Sequence, residues 1–149
     1  MTLPEMTDSG ELPLGEHTAS LQETLDRFSV GHAQRITVGE RLERVYQVAA
    51  STGHLARFIV YGSFVTDKSQ PNDIDVFLVM DDEFDGAKLQ GASTLLFDHA
   101  AADAHFGASV FWVRRPTAFG GEQAMVEYWQ AKRDGGQRGI VEIVEESND

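Results

Sequence analysis

The chain of 149 residues contains no cysteine, which excludes a disulfide framework, a thiolate nucleophile and any zinc site built on thiolates. Base is scarce as well: 12 Lys and Arg stand against 24 Asp and Glu, for a formal charge of −12. A surface of that sign repels polyphosphate backbones, so extended nucleic-acid binding is not expected unless a basic partner supplies the cations. No apolar run approaches the roughly 18 residues of a membrane span, and the N-terminus is acidic where a secretory signal needs base. A cytoplasmic protein with no membrane partner is therefore expected.

The acid is concentrated at the ends. Residues 1–26 carry Glu5, Asp8, Glu11, Glu16, Glu23 and Asp26 without a single Lys or Arg, and the C-terminus adds Glu142, Glu145, Glu146 and Asp149. Pro4, Gly10, Pro13 and Gly15 interrupt residues 1–16, which show no period and read as a flexible acidic arm. The remainder, 17–149, has ordinary globular composition, with 42% hydrophobic and 24% charged residues, and its length suits one domain.

Ser20 followed by Glu23 matches a capping box, and Leu21, Leu25 and Phe28 continue it as a short amphipathic helix. Ile36, Leu42, Val45, Val48 and Ala49 recur at helical spacing over residues 33–51, with Gly53 as the stop. Phe58 to Tyr61 reads as a buried strand ending in Gly62. Residues 73–80 form a second strand, whose later half is apolar on both faces and so belongs inside a sheet. A helix over about 87–104, a strand over 108–113, a helix over 119–133 and a last, possible edge strand over 139–144 complete the pattern.

Asp73 and Asp75 carry the chemistry. Positions i and i+2 of a strand share a face, with Cα atoms roughly 6–7 Å apart, so two carboxylates converge while Ile74 and Val76 enter the core. A divalent cation between them relieves their repulsion, and an all-oxygen donor set with bound phosphates suits magnesium. The plainer alternative is a turn closed by Asn72 and Asp73 after Pro71, with Asp75 a solvated strand residue. Tyr61-Gly62-Ser63 adds to the first reading, because glycine admits a phosphate to the backbone and serine contributes a hydroxyl beside N–H groups.

A strand, Gly-Ser, a loop of about ten residues and then Asp-h-Asp-h opening the next strand resembles the minimal nucleotidyltransferases of the DNA polymerase beta superfamily. Gly62-Ser63-Phe64-Val65-Thr66-Asp67-Lys68, Pro71-Asn72-Asp73 and Leu12-Pro13-Leu14-Gly15 are similar to a little-characterised bacterial branch of it. The resemblance implies an α/β (α+β) fold, a short mixed sheet flanked by helices. It further implies a nucleoside triphosphate held by Gly62 and Ser63, with Mg2+ (or Mn2+) on Asp73 and Asp75 as the catalytic pair. Its product would be a nucleotidyl group on an unknown acceptor, and family habit adds a protein partner in a bacterial toxin–antitoxin pair.

Active members carry a third carboxylate on a neighbouring strand, and the position expected to supply it here is Ser109. Serine is neither a carboxylate ligand nor a base. The alternative function is therefore a noncatalytic module of the same fold that binds nucleotide or another protein. Asp98 and Asp103 fall in the helix upstream.

Several other patterns compete for attention. Gly62 to Ser69 is one residue from a P-loop, but Asp67 stands where the second glycine belongs, and Pro71 forbids the helix that must follow. Lys68 is the loop cation that can reach a phosphate, although a solvated lysine is the commoner outcome. Arg114 and Arg115, with Lys132, Arg133 and Arg138, form a basic stretch read chiefly as solubilising surface. His99, Asp103 and His105 fit helix-face pairing better than zinc. Ser63 lacks the Gly-x-Ser-x-Gly elbow of a serine hydrolase. Trp112, Phe119, Tyr128 and Trp129 read as core.

Overall fold

In a computed structural model, which describes residues 3–68, 70–115 and 139–145, the chain has a mixed α+β fold. A five-stranded sheet of order β1-β5-β2-β3-β4 is packed against helices. The strands are β1 (Glu16–Ala19), β2 (Leu55–Tyr61), β3 (Ile74–Met80), β4 (Ala108–Arg114) and β5 (Ile140–Ile143). The helices are α1 (Leu21–Phe28), α2 (Ala33–Ser51), α3 (Ser93–Leu96) and α4 (His99–Phe106). β2 runs antiparallel to β3 and β5, whereas β1 is parallel to β5 and β4 to β3. The helix expected over 119–133, with Phe119, Tyr128, Trp129, Lys132, Arg133 and Arg138, lies outside the described residues.

α1 begins as its sequence dictates. The Ser20 hydroxyl accepts from the Glu23 N–H at 3.0 Å, and the Glu23 carboxylate reaches back to the Ser20 N–H. Ser20 is 3% exposed, so water cannot replace the cap, and Ser20→Ala is expected to cost about 1 kcal/mol, read as a lower midpoint in urea denaturation.

The core lies on one face of the sheet. Phe58, Val60, Ile74, Val76, Leu78 and Val110 meet α2 through Val38, Leu42, Val45 and Ala49, whose spacing of three and four is one stripe of a helix. Alternate residues of β2 and β3, Ile59, Tyr61, Phe77 and Val79, form with Ile140 a smaller buried cluster on the opposite face. Beside it Arg57 of β2 joins Glu142 of β5 and Glu16 of β1, both at 2.6 Å, and these bonds push its guanidinium pKa up, against the effect of burial. No helix among the described residues is long and apolar enough to cross a membrane.

Six features differ from expectation. β1 is absent from the sequence reading because Glu16–Ala19 has no apolar alternation; it is a strand because β5 pairs with it. β5 is not an edge but lies between β1 and β2, with Ile140, Val141 and Ile143 all buried. The single helix expected over about 87–104 is instead a 3-10 turn, Gly86–Lys88, followed by the short helices α3 and α4, which part at Asp98, whose carboxylate caps α4 by accepting from the Ala101 N–H. Ile36 is 46% exposed, and Arg35 takes its place on the buried stripe. Trp112 is 38% exposed, its indole N–H donating to the Phe97 carbonyl.

The sixth feature is the arm. Leu3 and Leu12 are buried in the core, and Arg27 donates to the carbonyls of Leu3 and Pro4. Residues 3–15 are thus irregular in backbone yet anchored at Leu3 and Leu12, whose burial offsets the ordering that composition alone disfavours, while Thr7, Asp8, Ser9 and Leu14 stay exposed.

Candidate functional site

Strand register assembles one row across the sheet. Tyr61 pairs with Asp75, and Asp75 with Ser109 on its other side, so the three side chains share a face. Because Ile74 and Val76 belong to the helix-covered core, that face is the opposite one. Asp75 and Ser109 are both half-buried.

Gly62 follows Tyr61 with φ +85° and ψ −166°, a region open in practice only to glycine. A Cβ built there would overlap the Asp75 carboxylate. Glycine is therefore required twice, once by its backbone angles and once by the acid that lies against it. The chain then makes a single 3-10 turn, Ser63–Val65, closed by the Val65 N–H on the Gly62 carbonyl. Among the described residues no acceptor meets the N–H of Ser63 or of Phe64.

Asp73 lies one residue ahead of β3, in a bend after buried Pro71, and is half-buried. Strand pairing therefore fixes the face of Asp75 and does not by itself fix that of Asp73. The structure brings Gly62 and Asp75 together, with Ser63 next in the chain. Lys68 is not joined to them by any described contact: its side chain is exposed, and its carbonyl is held by Arg35.

Neither upstream acid supplies a third carboxylate. Asp98 is engaged as the α4 cap, and Asp103 is exposed on α4. Among the described residues no group of three His, Asp or Glu is arranged to hold a metal ion. The His99 ring is stacked on Phe111 at 4.6 Å, with Nδ1 at 3.3 Å from the Val110 carbonyl, and so serves packing.

The groups that shape the site were missed by pattern reading, and the chief one is Arg35. Only 7% exposed, it donates to the carbonyls of Phe28, Phe64, Thr66 and Lys68, with Nε and Nη2 both on Lys68. All five guanidinium donors are thus used on main-chain oxygen. Burial pulls its pKa down, with Asp67 acting in the opposite direction. Gln34 donates to the Pro71 carbonyl at 3.0 Å and Arg41 to that of Asn72 at 3.3 Å. From the other side, the Asp67 N–H donates to the Gly10 carbonyl, and Glu11 bridges Thr66.

The loop between Gly62 and Asp73 is therefore clamped between α2 and the N-terminal arm. One signal for Arg35 was present: stepping back three from Val38 along the stripe 38, 42, 45, 49 lands on it. A cation at that position reads as solvent-facing until its four acceptors are known.

Comparison with known proteins adds one assignment. No curated protein and no solved structure matches the chain. The profile of one family matches residues 4–144, nearly the whole length, and the chain belongs to that family, DUF6932, a family of unknown function.

Proposed function

We propose that the chain is a nucleotidyltransferase-like protein that binds a nucleoside triphosphate with Mg2+ at Gly62, Ser63, Asp73 and Asp75. The observation that carries this reading is the Asp75 carboxylate lying against Gly62 at the end of two adjacent strands. The donor set fits the ion: two half-buried carboxylates offer oxygen only, and magnesium keeps waters and phosphate oxygens for its remaining positions. When bound, it would neutralise charge on the phosphates. The N–H groups of Ser63 and Phe64, which meet no acceptor among the described residues, are suited to phosphate oxygen.

Transfer would form a bond from an acceptor hydroxyl to the α-phosphorus and release pyrophosphate, with the hydroxyl proton passing to a base. The residue beside Asp75 in the row is Ser109, which cannot take that proton at neutral pH. Ser109 thereby favours a second reading, in which nucleotide is bound and not transferred.

Titration calorimetry with each nucleoside triphosphate in magnesium separates these readings from none. Binding is expected to the natural protein and to be at least about tenfold weaker, or roughly 1.4 kcal/mol, in the folded Asp73→Asn, Asp75→Asn double variant. If no triphosphate binds the natural protein, both readings fail. Label transferred from the α-phosphate by the natural protein excludes the second reading. Transfer that appears only in Ser109→Asp supports it.

A further inference from the structure

The five arginines of α1, α2 and β2 fall into two kinds. Arg35 spends every donor on loop carbonyls, Arg57 is bound between Glu142 and Glu16, and Arg27 holds the carbonyls of Leu3 and Pro4. Arg41 and Arg44 differ. Arg41 makes one hydrogen bond, the 3.3 Å contact with Asn72, and Arg44, which is exposed, makes none among the described residues.

These two stand three residues apart on α2, hence on one face, and line a groove of about 520 Å3 between α2 and α4 with Thr37, Glu40, His105 and Gly107. The groove lies in the helix layer, on the opposite face of the sheet from the row built on Asp75, but at the same end, where β3 and β4 begin. Arg41 touches Asn72, the neighbour of Asp73, and a Cβ at Gly107 would come within 2.9 Å of its Nε. Gly107 leads into Ala108, which pairs with Ile74.

We propose that Arg41 and Arg44 form a phosphate-binding subsite in the helix layer, reached from the candidate nucleotide site around the end of the sheet at Asn72. The choice of phosphate over carboxylate rests on the nucleotide reading; the site itself rests on the groove. A molecule of net charge −12 repels polyphosphate unless cations stand locally where the ligand lands. Two guanidinium forks with donors to spare, beside a threonine hydroxyl, provide that field and match phosphate oxygen in pairs. Glu40 opposes them from the same groove and weakens the attraction. The phosphate has two sources, the tail of the bound triphosphate or a phosphate of the acceptor.

Inorganic triphosphate without magnesium is the probe, followed by calorimetry at low salt. It is expected to bind the natural protein, at least tenfold more weakly Arg44→Glu, and more tightly Glu40→Gln. Arg44 and Glu40 make no described contact, so both variants should melt with the natural protein. No binding to the natural protein, or equal affinity for natural protein and Arg44→Glu, overturns the proposal. Asp73→Asn, Asp75→Asn should keep its metal-free triphosphate affinity, so failure of the metal site and failure of the groove are read separately. Displacement of triphosphate by a magnesium-bound nucleotide assigns the groove to the donor tail, and simultaneous binding of the two assigns it to the acceptor.

Discussion

Arg35→Met is expected to lower the unfolding free energy by about 3–5 kcal/mol, the range of a broken buried polar network. Methionine fills much of the volume and supplies no donor, so the carbonyls of Phe28, Phe64, Thr66 and Lys68 lose their shared partner at once. Part of the loss is recovered where loop carbonyls turn to water, which keeps the figure below the sum of five charge-assisted bonds. Arg35→Lys should rescue little, since three donors on one nitrogen cannot reach four dispersed oxygens. Urea denaturation of all three proteins is the measurement. A change under about 1 kcal/mol for methionine would mean that Gln34, Arg41 and the arm hold the loop without it.

Gly62→Ala should be nearly as severe, and its damage is directed at the site. The backbone region it occupies costs a residue with a Cβ about 1–3 kcal/mol, and the added atom overlaps the Asp75 carboxylate besides. Gly53→Ala is the internal control: Gly53 also has positive φ, +77°, but nothing lies within 4 Å of its Cβ position, so a loss of about 1 kcal/mol is expected. A clearly larger loss at Gly62, with triphosphate binding abolished there and intact in Gly53→Ala, identifies the Asp75 contact as the cause. Equal losses would reduce Gly62 to a simple turn glycine.

Where local chemistry decides, the elements were legible. Ser20 and Glu23 form the capping box that their spacing implies, α2 spans 33–51, and β3 lies inside the sheet with Ile74 to Met80 packed on both faces. Ser109 also falls beside Asp75, because the pairing of β3 with β4 puts the second residue of each strand level. What escaped depends on partners far along the chain. Glu16–Ala19 has no strand pattern of its own, and residues 140–143 become interior only because β1 takes their outer side. Arg35 escaped for a related reason, since its acceptors are backbone atoms that no side-chain pattern reveals.

The position of β5 also sets the order in which the sheet can form. β2, β3 and β4 are consecutive strands, and their pairing needs only the intervening loops and helices. The outer edge of β2, carrying Phe58, Ile59 and Val60, must wait for residues 140–143, as must β1, whose Glu16 meets Ile140. Contacts so distant in sequence form slowly. Until residues 140–143 arrive, the apolar edge of β2 has no partner, and an open edge of that kind is where misassembly begins.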